Sequence, residues 1–315
     1  MHPAPSIIAF TTASGAGYGL LFLLGLAAPA GLIPATRWLG ATALGLALGL
    51  ITLGLLASLL HLGHPERAWR ALSQWRSSWL SREGVVALFT YAPALLFGAG
   101  WVLFETTGGW IGLFGVLAAL GAAFTVYCTG MIYASLKPIR EWHQPLVPPV
   151  YLALALMTGA LLLHLVLQLF GTPRGWAAAL ALLATALAFG LKSWYWTAIA
   201  RPAQRPTPET ATGLGALGRV RMLEPPHTET NYLLREMGFW VARRHAAKLR
   251  LYVCLLGFVG AALLSLLSLL APGAAASLLA LLAALSGIAG VLIERWLFFA
   301  EATQTAILYY DSRTA

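Results

Sequence analysis

Two titratable side chains bracket one polar segment of this sequence, LLHLGHPERAWRALSQWRSSWLSREG. His61 closes the apolar run before it and Glu83 opens the run after it. An imidazole titrates near neutral pH, which suits it to exchange a proton with a small ligand. A histidine at a helix carboxyl end, or an acid in a helix first turn, is also what the helix dipole favours. The residues alone leave both readings open. Arg82 is placed to pair with Glu83 or with a lipid phosphate, and His64 lies in the same segment. Further on, MIYASLKPIREWHQPLVPP carries Tyr133 and Trp142, and IERWLFFAEA carries Glu294 and Arg295. A tyrosine hydroxyl can donate to a ligand carbonyl and a guanidinium can hold a ligand oxygen. The bland alternatives are an interfacial aromatic belt and a topology marker.

The elements that must position these groups are apolar throughout. The chain is 59% hydrophobic and 10% charged, with mean hydropathy +0.76. Eight stretches are long enough to cross a bilayer as helices, at about 20 residues each. They fall at roughly 6–28, 40–60, 84–104, 110–133, 149–170, 175–199, 250–270 and 275–299. Their continuous Leu, Ala and Gly content lacks the alternation of a membrane barrel. The expected fold is all-α, an integral membrane bundle of eight transmembrane helices forming a single domain over residues 1–315.

Charge sorts onto one side of that bundle. The connections at 61–83, 134–148 and 200–249, with the last span's end and the tail, hold nearly every Lys and Arg; the other side has Arg37 and Arg174. The positive-inside rule makes the basic side cytoplasmic and puts both termini inside. The net charge of +9 is then topology, and no nucleic-acid partner is expected. The first span lacks the basic start and small-residue cleavage site of a signal peptide. Within the loop at about 200–249, residues 201–226 read as irregular. The stretch TETNYLLREMGFWVARRHAAKLR reads as an amphipathic interfacial helix. No internal repeat stands out. Gly15, Gly19, Gly45 and Gly49 are spaced as packing motifs.

Metal and cofactor chemistry finds little purchase. Cys128 and Cys254 have no CxxC partner and suggest neither a disulfide framework nor a metal site. His164 lies deep in span five, roughly 22 Å from that span's basic end, so it and His61 cannot share one haem iron. No Walker loop, HExxH or iron–sulfur motif appears. Three rival classes are weighed: a transporter, which would want polar groups at the midplane, a haem cytochrome, and a plain structural tether.

At HLGHPERA, WLSREG, the KPIREWHQPLVPP segment and RWLFFAEA, the sequence resembles the DmsC-type membrane anchor subunits of complex iron–sulfur molybdoenzymes. The resemblance spans essentially the whole chain. It implies a quinone, ubiquinone or menaquinone, bound near the face where an iron–sulfur subunit docks. That subunit passes electrons to or from a molybdopterin catalytic subunit. The anchor itself holds no haem and no cluster. The resemblance makes His61 and Glu83 the quinone-site residues, with Tyr133 and Arg295 less securely matched and Arg82, His64 and Trp142 in support. In the best-known dimethyl sulfoxide reductase this face looks toward the periplasm, whereas the charge count here puts it in the cytoplasm of a bacterial inner membrane. That departure, and the similarity of WHQPLVPP to anchors of cytoplasmic sulfite:quinone oxidoreductases, favours sulfite oxidation over a reductase.

Overall fold

The structure, a computed structural model, describes residues 3–172, 175–201, 207–221, 223–224, 241–305 and 308. Eight helices long and apolar enough to span a membrane run through it. They are α1 (Pro5–Ala27), α2 (Arg37–Leu59), α3 (Trp79–Phe104), α4 (Gly109–Ala134), α5 (Val147–Leu169), α6 (Gly175–Ala200), α7 (His245–Leu270) and α8 (Gly273–Ala300). At 23 to 28 residues each, they reach about 35 to 42 Å, enough for the hydrocarbon core and its borders. Among the described residues only an isolated bridge, Ile139 with Gln304, has strand geometry.

Burial separates two central helices from six peripheral ones. The apolar windows of α1 and α5 are 72% and 89% buried, and no other exceeds 44%. The outer helices turn Leu88, Phe89, Leu96, Leu183 and Leu285 outward, as lipid-facing surface requires. Small residues let the two central helices meet. A Cβ on Gly19 would fall 1.8 Å from the Ala155 carbonyl oxygen, so only glycine permits this crossing. Gly257 of α7 and Gly290 of α8 make a similar approach. The other glycines of the two spaced motifs, Gly15, Gly45 and Gly49, meet nothing where a Cβ would stand. They are therefore not packing sites.

The contacts reveal a repeat of topology. Helix α1 packs on α2, α2 on α3, α3 on α4, and α4 back on α1; α5 to α8 close a ring in the same order. The rings join where α1 meets α5, α4 meets α5 and α8 meets α1. Packing of this kind asks only for small residues at crossings and apolar ones outside, so it leaves no repeat in the residues themselves. Hydroxyls within the spans mostly bond back into their own helices, as Thr125 does to the Gly121 carbonyl (2.8 Å) and Thr185 to Ala181 (2.7 Å). In α7, Val253–Gly260 is wound as a π-helix, and Ser286 of α8 donates to the Leu256 carbonyl there (2.7 Å).

Several spans begin earlier than hydropathy indicates. Helix α3 starts at Trp79, capped by Ser78, whose hydroxyl accepts from the Ser81 N–H. Glu83 therefore stands in the second turn, and no acid occupies the first. That removes the helix-dipole account of this carboxylate. The amphipathic segment expected at 228–250 lies outside the described residues up to Trp240, and a helix runs from Val241 to Tyr252. Arg174, Arg205, His227 and Arg313 are also outside them.

Candidate functional site

The connection from α2 to α3 is an exposed, ordered ledge at the basic end. Pro65–Gln74 forms a 3₁₀ helix with Pro in its first turn. Arg70 stacks on Trp69 (5.5 Å) and Arg76 on Trp75 (5.4 Å). Arg82 does not pair with Glu83. Its Nε donates to the Trp75 carbonyl (3.0 Å), its Nη2 to the Arg76 carbonyl (2.7 Å), and its guanidinium lies 4.3 Å above the Trp79 ring. The Ser81 hydroxyl donates to the Ala71 carbonyl. Arg82 and Ser81 thus fold the ledge back onto α3. His61 is exposed just past the end of α2 and makes no hydrogen bond or ion pair among the described residues. His64, also exposed, pairs with Glu66 (3.0 Å).

Glu83 points the other way, into the bundle. It is 4% exposed, and its described hydrogen-bond partner is the Thr129 hydroxyl of α4. That hydroxyl has a second acceptor in reach, the Thr125 carbonyl (3.0 Å). A buried carboxylate with so little compensation is costly in a membrane and is a functional candidate for that reason. One turn beyond Thr129, Tyr133 is enclosed by the rings of Trp142, Tyr151, Phe298 and Phe299, with centroids 5.1 to 5.8 Å away. Trp142 donates its indole N–H to the Phe298 carbonyl (3.0 Å). Both residues are buried (Tyr133 9% and Trp142 4% exposed). This overturns the aromatic-belt reading of the pair.

The second ring of helices holds a cluster that the hydropathy pattern hid. Lys192 of α6 and Arg295 of α8 both pair with Glu294, Arg295 at 2.6 Å, and all three side chains are at most 2% exposed. Arg295 also lies 3.7 Å above the Tyr151 ring, and Lys192 lies 4.1 Å from the Tyr195 ring. In the sequence Arg295 stays open between a topology marker and a ligand contact; the signal of a buried pair is that Glu294 precedes Arg295 in a strongly apolar span. Two basic side chains thus share one buried carboxylate. Glu83, Tyr133 and Arg295 share one region, since Tyr133 feels the charge of both others. His61 stands apart from them at the surface.

The basic surface above the second ring is tied down by the chain's end. Glu301, just past α8, pairs with Arg250 (2.7 Å), and Thr303 donates through its amide and hydroxyl to Glu141 (3.0 to 3.1 Å). Burial lifts the Glu301 carboxyl above the ordinary range even though Arg250 pulls it down. Arg140 reaches the Ile199 (3.4 Å) and Arg201 (2.7 Å) carbonyls at the end of α6. The KPIREWHQ segment is therefore a clamp joining α4, α6, α8 and the tail.

Two openings adjoin Glu83. A groove of about 410 Å³ runs over the lipid-facing side of α3 and α4, lined by Val86, Phe89, Thr90, Pro93, Leu96 and Phe114 among others. It starts at Val86, one turn deeper than Glu83. A small internal cavity of about 20 Å³ lies where α1, α4, α5 and α8 meet. Away from both, His164 of α5 is 1% exposed and bonds Ser268 of α7 (2.7 Å). Cys128 is buried, Cys254 half-buried, and both thiols are free. Among the described residues no three His, Cys, Asp or Glu side chains converge as a metal site.

A family model described as DMSO reductase anchor subunit (DmsC) matches residues 1–300. The C component of the sulfite dehydrogenase of Allochromatium vinosum, one of that enzyme's subunits, is 35% identical over 99% of both sequences. The C component of the anaerobic dimethyl sulfoxide reductase of Escherichia coli is 29% identical over 41% of this sequence and 44% of its own.

Proposed function

Because this chain belongs to the DMSO reductase anchor subunit (DmsC) family, we propose that it exchanges electrons between a docked iron–sulfur subunit and the quinone pool, in the service of sulfite oxidation. The full-length match to a sulfite dehydrogenase subunit supports that substrate. The whole chain, 1–315, is read as one anchor domain. Its basic face is cytoplasmic by the positive-inside rule, with both termini inside a bacterial inner membrane. The iron–sulfur subunit and, beyond it, the molybdopterin subunit then dock on that face.

The observation that carries the quinone reading is Glu83, a buried carboxylate one helical turn from Val86, which lines an apolar groove on the lipid-facing side. The groove suits an isoprenoid tail, and the charged end of α3 suits a carbonyl headgroup. When bound, a quinone supplies the storage of electrons and protons. This chain's residues supply the rest. His61, on the exposed rim, offers its imidazole to one carbonyl oxygen and gives up a proton there. Glu83 delivers a proton from the protein side and recovers one from water at the ledge. Arg295 sets the charge of the wall and Tyr133 packs beside it, and neither touches the carrier. Arg82 and His64 hold the ledge, and Trp142 holds the ring cluster. The test compares quinone-coupled turnover with dye-coupled turnover of the intact complex. His61→Ala and Glu83→Gln should each lower the first about 10²-fold and spare the second; wild-type quinone turnover in both variants would overturn the site.

A second reading, an anchor that oxidises menaquinol for a dimethyl sulfoxide reductase-type enzyme, is favoured by the partial match to a component of such an enzyme. The catalytic subunit that copurifies decides between them.

A further inference from the structure

The cavity at the junction of the two helix rings is a built site. Thr12 of α1, Tyr151 of α5 and Arg295 of α8 line it, at 3%, 5% and 2% exposure. Thr12 Oγ1, Tyr151 OH and Arg295 Nη1 have no hydrogen-bond partner among the described residues. Three buried polar atoms without partners, all on residues that line one space, are a standing cost unless something polar occupies it. About 20 Å³ admits one water and is far too small for a quinone ring. A fourth lining residue is Thr129, whose hydroxyl also meets Glu83.

We propose that this cavity holds an ordered water that joins Glu83, through Thr129, to the buried Lys192–Glu294–Arg295 cluster. The water accepts from Arg295 Nη1 and from the Tyr151 hydroxyl. It donates to Thr12 Oγ1 and to the free lone pair of Thr129 Oγ1. All four of its bonds are then used, and each orphaned atom gains a partner. Every donor hydrogen on the path guanidinium, water, Thr129, Glu83 points toward the carboxylate. Aligned hydrogen bonds of this kind polarise one another. The Arg295 guanidinium is thereby presented to Glu83. When Glu83 takes up a proton, Thr129 swings to its other acceptor, the Thr125 carbonyl, and Glu83 donates to Thr129. The hydroxyl is a two-position joint that follows the charge on Glu83. Arg295 and Tyr151 are thus positioning residues. The other titratable groups in the field of Glu83 are Tyr18 of α1, Cys128 and Tyr133 of α4, and Tyr151 itself.

This inference rests on the proton-delivery role of Glu83 given above, and its test separates the two. Thr12→Val keeps the shape of the side chain and removes the hydroxyl that accepts from the water. Tyr151→Phe removes one of the donors. High-resolution electron microscopy of the complex should show a single peak bonded to Thr12, Tyr151 and Arg295, lost in Thr12→Val. The limb of the quinone-turnover pH profile that Glu83→Gln abolishes should move by about one pH unit in both variants, while dye-coupled turnover does not change. No peak in the native cavity overturns the proposal, and so does a peak whose loss leaves the pH limb in place. If Glu83→Gln itself turns over quinone normally, the quinone-site reading fails instead, whether or not the water is there.

Discussion

The two helix rings share one topology and treat buried charge in opposite ways. In α5–α8, Glu294 is matched by two cations and sealed by aromatic rings. In α1–α4, Glu83 has a single hydroxyl from a neighbouring helix and an apolar groove starting one turn away. A paired ion cluster resists any change of protonation, because removing one charge strands the others. A lightly held carboxylate is free to change state. The comparison assigns structure to the second ring and chemistry to the first, although both hold their charges near the basic end of the bundle.

The sharpest way to break that assignment is to neutralise each acid in turn. Glu294→Gln leaves Lys192 and Arg295 buried together without an anion. It should cost about 3–5 kcal/mol, the usual penalty for orphaning a buried charge, read as a large fall in thermal midpoint of the purified complex. Glu83→Gln keeps an acceptor for Thr129 and should leave that midpoint nearly unchanged, while quinone-coupled turnover falls by about 10²-fold. The reverse pattern would exchange the roles of the two rings. His61→Ala belongs with Glu83→Gln: a similar loss of quinone turnover with no loss of stability, since the imidazole is exposed and unbonded among the described residues.

The groove gives a smaller and more specific effect. Ala92 lines it among apolar neighbours. Ala92→Trp should fill the space that an isoprenoid tail would use. The KM for a long-tailed quinone should rise about tenfold with kcat unchanged, the mark of lost uniform binding. A short-tailed analogue should be unaffected, and equal losses for both would place the tail elsewhere.

Much of the fold was legible in the sequence because lipid imposes simple rules. Eight apolar stretches and a one-sided count of Lys and Arg gave the spans to within a few residues, apart from α2, α3 and α7, whose ends carry polar residues such as Arg37, Arg82 and Lys248. The pairing of helices was not legible. The spaced pair Gly45 and Gly49 packs against nothing, while Gly159, outside any such motif, sits at the central crossing. The site was legible in part. His61 and Glu83 stood out by residue type, but not the opposed directions in which they point. The Lys192–Glu294–Arg295 cluster joins residues about a hundred positions apart, and no local pattern announces such a contact. Tyr133 and Trp142 looked interfacial because both lie near a span's end; only the clamp folding over them shows that they are enclosed.

The least effect is expected where the second ring meets water. Glu301 is lifted above the ordinary carboxylate range, burial outweighing the pull of Arg250. The folded chain therefore holds this proton more tightly than the unfolded chain does. Stability from this group is complete below the ordinary glutamate value and is lost as pH rises through the elevated folded value. The segment it anchors, with Thr303 on Glu141 and Thr305 on the Pro138 carbonyl, should open less often near pH 4 than near pH 7. Hydrogen exchange at the Thr303 and Thr305 amides, corrected for intrinsic rates, should show this as a change of less than about tenfold, the factor that corresponds to one pH unit. Glu301→Gln should erase the pH dependence and keep the protection. Protection that instead grew with pH would mean that the Arg250 ion pair outweighs burial, and that the surface of the second ring is held by charge as its interior is.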